Sequence, residues 1–243
     1  MQLSRSSFTR RNLLRLSGAS TVAAVGMSAC APRQVPVTST APVELAGAET
    51  AWRQLLDGNA RFVEGRATYP HQTADGRQSL VAKRHPFACV IACADSRVGP
   101  EAVSGGALGD LFVIRSAGEV LDDAVVGSVE YAVEHLRVLL VVVVGHAGCG
   151  EVKAVIDVVA GRGQVADGVS YPMRGIETAV RAVPQKTDPQ QFFNARVSEQ
   201  ARRSAAQLIE RSTILREATE QRRLAVRVAE YELSTGRLRE ISL

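Results

Sequence analysis

Cysteine is scarce in this 243-residue chain. Its four, Cys30, Cys89, Cys93 and Cys149, fall at irregular spacing, so no disulfide framework is written here. Aromatic residues make up 5%, with Trp52 the one tryptophan. Charged residues reach 22% against 46% hydrophobic, which excludes wholesale disorder and leaves enough apolar material for a full core. Acidic residues are missing altogether from positions 1–29, where Arg5, Arg10, Arg11 and Arg15 lie. The net charge of +4 therefore belongs to that segment, because the 29 Lys and Arg less those four equal the 25 Asp and Glu. No basic face is left to track a phosphate backbone, so no nucleic-acid partner is expected. There is no internal repeat. The apolar stretch from Leu16 to Ala29 is too short, and too broken by Ser and Gly, to span a bilayer.

What the front of the chain does have is the order of an export signal: a basic start, an apolar stretch, then small residues. Thr9-Arg10-Arg11-Asn12-Leu13-Leu14-Arg15 resembles the twin-arginine signal. Met27-Ser28-Ala29-Cys30 resembles a bacterial lipobox, which would make Cys30 a lipidated N-terminus and a membrane tether. A plain cut nearby is the alternative. Residues 1–29 are thus expected to be a signal peptide that sends the protein out across the cytoplasmic membrane. Residues 30–47, with Pro32, Pro36 and Pro42, read as an extended linker. The domain is expected over 48–243, where roughly 200 residues suit one large unit.

Within it, Trp52, Leu55, Leu56, Ala60 and Val63 fall at helical spacing over 48–64. Three short apolar runs read as buried strands: 87–92, 111–114 and 138–144. Between the second and third, residues 122–136 read as a helix capped by Asp122 or Asp123. Residues 149–160 form another, 188–221 a long charged one, and 224–243 two strands joined by a turn at Ser234-Thr235-Gly236. The fold class is α/β, a mainly parallel central sheet flanked by helices and ending in a β-hairpin.

Two turns carry the chemistry. Cys93-Ala94-Asp95-Ser96-Arg97 follows the first strand and Gly145-His146-Ala147-Gly148-Cys149-Gly150 follows the third. Both lie at C-terminal strand ends, the edge where open α/β folds bind ligands. Two thiolates and an imidazole make a donor set suited to Zn2+, and three protein ligands leave the fourth tetrahedral position open. Cys149 also opens a helix, whose free N–H groups stabilise a thiolate.

These turns resemble the two signature motifs of the β-class carbonic anhydrases. Residues 58–63, 108–113 and 127–132 resemble further family segments, and the likeness runs from about residue 48 to the end. The resemblance implies one zinc per subunit held by Cys93, His146 and Cys149, with Asp95 and Arg97 as the catalytic pair. The reaction it implies is reversible hydration of carbon dioxide to bicarbonate and a proton by zinc-bound hydroxide. Asp95 either takes the fourth zinc position at rest or, paired with Arg97, accepts a hydrogen bond from the hydroxide. A homodimer or higher even assembly is expected. Two stretches depart from the family pattern: Ser104-Gly105-Gly106 replaces a bulky, polar stretch linked to substrate, and Ser116 and Glu119 stand where many members have asparagines.

Other readings compete. Glycines at 145, 148 and 150 miss the dinucleotide spacing. A cysteine hydrolase would pair Cys93 or Cys149 with His146 and work without metal. A non-catalytic zinc protein would keep Asp95 on the metal, and carbonyl sulfide or carbon disulfide could be hydrolysed at the same zinc. Cys89 reads as core. His71, His85 and His135 read as surface or packing residues, and Glu130 and Tyr131 as helix packing.

Overall fold

The computed structural model describes residues 41–82, 84–164 and 170–243. The expected signal peptide and Cys30 lie outside them. Helix α1 runs Ala41–Val63, so it begins seven residues before the periodicity predicts, inside the stretch expected as linker. Pro42 misled that reading, because proline is well tolerated in a helix's first turn. Two short helices follow, α2 (Ala74–Ser79) and α3 (Pro100–Val103), separated by strand β1 (Ala88–Cys93). Then come β2 (Leu111–Ser116), a tight turn over Ala117–Glu119, α4 (Asp123–Glu134), β3 (Leu140–His146) and α5 (Gly150–Val159).

Helix α6 (Ser170–Ala182) has no counterpart among the sequence expectations. The expected helix over 188–221 is two, α7 (Pro189–Arg211) and α8 (Thr213–Glu220). The break has a local cause: Ser212 leaves helical geometry, and its hydroxyl accepts the Leu215 N–H as an N-cap. Strands β4 (Ala225–Glu232) and β5 (Arg237–Ile241) form the hairpin. Asp122 is the cap of α4, taking the Val125 N–H at 2.7 Å.

The sheet order is β2-β1-β3-β4-β5. The first four strands are parallel and β5 returns antiparallel to β4. All of β1 and β3 is buried, as expected for strands covered on both faces. One core layer joins Ile91, Val141 and Val143 to Val129, Ala205 and Leu208. The other joins Val90, Val142 and Val144 to Trp52 and Leu55 of α1. Side chains alternate along each strand, so successive valines of β3 feed opposite layers.

Buried Asn59 ties α1 to the rest. Its amide donates to the carbonyls of Val103 (2.9 Å) and Gly236 (2.8 Å), and its oxygen accepts the Leu238 N–H at 2.8 Å. Beside it, Gly58 lies so close to the Ser104 carbonyl that a Cβ would fall 1.7 Å from that oxygen. Among the described residues no helix is long and apolar enough to cross a membrane.

Candidate metal centre

Strands β1 and β3 are direct neighbours, with Cys89 opposite Val141 and Ala92 opposite Val144. Their C-terminal ends therefore deliver Cys93 and His146 side by side. The turn after β3 brings Cys149 back as the cap residue of α5. The ligating atoms of Cys93, His146 and Cys149 all lie within 4.8 Å of one another, and all three residues are buried.

The imidazole is oriented for a metal. Its Nδ1–H donates to the Ala147 carbonyl at 3.0 Å, which leaves the Nε2 lone pair facing the sulfurs. That Nε2 is buried and has no hydrogen-bond partner, so an acceptor is left to be satisfied. A soft donor set of two sulfurs and one orphaned imidazole nitrogen fits zinc.

The electrostatics point the same way. A hydrogen bond from Cys149 pushes the Cys93 thiol down to about 4, against the opposing effect of burial; His146 and the N–H groups of Gly118 and Asp95 add to the lowering. Cys149 moves far up, first because it holds the shared proton and then because it is buried. Burial pulls His146 down, yet the Cys93 sulfur beside it, the Ala147 carbonyl and the Asp95 carboxylate together carry it above its ordinary value. The cluster thus stabilises a thiolate at Cys93, while Cys149 keeps the proton the two sulfurs share.

Asp95 stands at the mouth. Arg97 grips its carboxylate at both oxygens, and the Arg97 N–H adds a third contact at 2.9 Å. This hydrogen bonding is the main reason the Asp95 carboxyl is held far below the usual carboxylate range. One Asp95 oxygen lies 4.0 Å from His146 Nε2. The metal-binding group of three does not include it.

Sequence reasoning missed three neighbours. Arg115 on β2 donates to the carbonyls of Cys93 and Asp95 and so fixes the first turn. Glu119, seen only as a departure in a loop, is buried with one carboxyl oxygen unpartnered, and burial raises its pKa well above the ordinary value. It has a positive φ of 52°, following Gly118 at 64°. Glu151, in the first turn of α5, places its Oε2 3.5 Å from the Cys93 sulfur and 3.3 Å from the Cys149 sulfur. Cys89 is core, as expected. His71, His85 and His135 are exposed, His135 lying 5.0 Å from the Tyr131 ring.

Comparison with known proteins agrees with this geometry. A family model described as carbonic anhydrase matches residues 88–238. The carbonic anhydrase of Mycolicibacterium smegmatis is 40% identical over 192 residues, covering 77% of this chain and 90% of the relative. Carbonic anhydrase 2 of Mycobacterium tuberculosis is 39% identical, covering 77% and 89%. Among solved structures, a β-carbonic anhydrase of Sordaria macrospora, described as tetrameric, aligns with a TM-score of 0.62 at 22% identity, covering 80% of this chain and 98% of that one. The Coccomyxa β-carbonic anhydrase, solved with acetazolamide, aligns at 0.60 and 19%, covering 84% and 87%. With the Cys-His-Cys cluster in place, these matches make the chain a member of the carbonic anhydrase family, with the β-class fold and the zinc-dependent hydration of carbon dioxide as its activity.

Proposed function

We propose that Cys93, His146 and Cys149 hold one Zn2+ per subunit and that Asp95 and Arg97 direct attack on carbon dioxide beside it. The observation that carries this is the convergence of two sulfurs and an unpartnered imidazole nitrogen at one buried point. Zinc supplies hydroxide at mild pH by acidifying a water. The protein residues do the rest. Cys93 and Cys149 would hold the metal as thiolates and His146 through Nε2.

Asp95, kept ionised by Arg97, accepts a hydrogen bond from the attacking oxygen and sets its direction. Arg97 holds Asp95 away from the metal, and it also reaches the Gly148 carbonyl at 3.2 Å, so it joins the two site loops. Ser104-Gly105-Gly106 offers no large polar side chain, and substrate affinity is where this chain should differ from relatives that have one. A stopped-flow hydration assay, with zinc measured on the same sample, tests the proposal. Stoichiometric zinc with no hydration of carbon dioxide would refute it.

The assembly and address of the enzyme extend this reading. The tetrameric description of the Sordaria enzyme supports an even homo-oligomer here, testable by light scattering. The arginine pair at Arg10-Arg11 supports export by the twin-arginine route, which moves folded proteins and lets the metal be loaded beforehand. Lipidation at Cys30 would then tether the enzyme to a membrane.

A further inference from the structure

A cavity of about 710 Å³ lies between α5 and the first turns of α7. Small-molecule sites run from about 300 to 1,000 Å³. None of the metal-binding side chains lines it, nor do Asp95 or Arg97; it meets the metal turn only at Gly148. Three cations face it, Lys153, Arg162 and Arg196, against one acid among the described residues, Asp157. That acid is already taken: Lys153 holds one of its oxygens at 2.8 Å and Arg162 the other at 2.9 Å.

Arg196 has no such partner. It stands one helical turn after Phe192, and its guanidinium lies 3.5 Å over that ring. Its Nε donates to the Val180 carbonyl at 3.2 Å. Among the described hydrogen bonds and ion pairs its two Nη groups have no acceptor. The side chain is half-buried, and burial lowers its pKa with no carboxylate in return. A cation taken partly out of water in this way gains from an oxyanion. Ring and carbonyl hold the guanidinium in place, so its free edge is set for two oxygens at once.

The same cavity has an apolar wall. Ile156, Val159 and Phe193 line it and pack only partly into the core beneath. A bare inorganic anion would leave that wall wet, and a neutral molecule would leave Arg196 unanswered.

We propose that this cavity binds an organic anion, with a phosphate or carboxylate head on Arg196 and an apolar body against Ile156, Val159 and Phe193. The site is separate from the metal centre and does not depend on the zinc assignment.

Calorimetry on the full chain tests it, with phenyl phosphate and benzoate as probes and inorganic phosphate and phenol as controls. At least one probe should bind, the tighter naming the head group, and both controls should bind about tenfold or more weakly. Arg196→Met keeps an apolar stem without the charge and should weaken the probe about tenfold or more. Lys153→Gln, at an exposed position, should weaken it less, and it carries the test if Arg196→Met does not fold. Azide, a small anion that seeks metals, should not displace the probe. No binding of either probe up to about 10 mM would overturn the proposal. So would displacement by azide, controls that bind as well as the probes, or wild-type affinity in either variant.

Discussion

Arg97 holds Asp95 along one flat edge, Nε to Oδ1 at 2.9 Å and an Nη to Oδ2 at 2.6 Å. Lysine cannot copy a planar two-point contact. Arg97→Lys should keep its zinc and lose about 10–100-fold in hydration rate, the usual cost of losing an outer partner of a metal site. Stopped-flow rates with metal analysis decide it, and an unchanged rate would remove Arg97 from the mechanism.

The pH dependence follows from the donor set. Two thiolates cancel the charge of Zn2+, so the bound water should be less acidic than the value of about 7 seen with imidazoles alone. Activity should rise with pH to a plateau above about 7. Asp95 adds no inflection in that range, because Arg97 holds its carboxyl far below the ordinary value. The sign for stability is the usual one for a depressed carboxyl. The Asp95–Arg97 pair contributes fully above the unfolded value of about 3.9, and its contribution fades as pH falls towards the folded value. A pH–rate profile already flat well below 7 would contradict the thiolate argument.

Cys149→Ser separates a metal enzyme from a cysteine hydrolase. Serine is a poor zinc ligand, so metal content should drop sharply and hydration should drop with it. Chelation of the wild type should abolish activity, and added zinc should restore it. Turnover that survives chelation would favour the Cys-His nucleophile.

Asn59 tests the fold apart from the chemistry. Its three hydrogen bonds join α1 to the end of α3 and to the hairpin. Asn59→Ala strands two carbonyls and one N–H in buried surroundings, at about 2–4 kcal/mol. Denaturant melts should show that loss, and a loss below about 1 kcal/mol would mean that water or a shift of the hairpin replaces the bonds.

Export has a direct check. Replacing Arg10 and Arg11 by lysines should hold the protein in the cytoplasm, and fractionation by cell compartment reads the result. Export undiminished by the change would remove the twin-arginine assignment.

The strands and the metal ligands were legible because each obeys a local rule. The β-branched run from Val141 to Val144 could only be buried strand, and Cys93, His146 and Cys149 fall where strands end and a helix begins, beside the polar and glycine residues of two turns. Helix α6 was missed although Met173, Ile176 and Val180 keep helical spacing, because the opening Tyr171-Pro172 reads as loop. The split at Ser212 was hidden because charge periodicity continues across it, and only the cap reveals the break. Arg115, Glu119 and Glu151 were invisible for a different reason. Arg115 and Glu151 matter through atoms of the Cys93 turn that the fold brings beside them, and Glu119 through its burial, and nothing in their immediate sequence says what lies opposite.

The adjacency of β1 and β3 has one more consequence. The gap between the two metal-binding turns is set by the width of a single step across the sheet and not by the length of polypeptide that joins them. The loops of the connection through β2 and α4 can therefore lengthen or shorten without changing that gap, so long as Arg115 keeps its hold on the first turn. A change in the pairing of those two strands by one residue would turn Cys93 to the wrong side and silence the enzyme at a stroke.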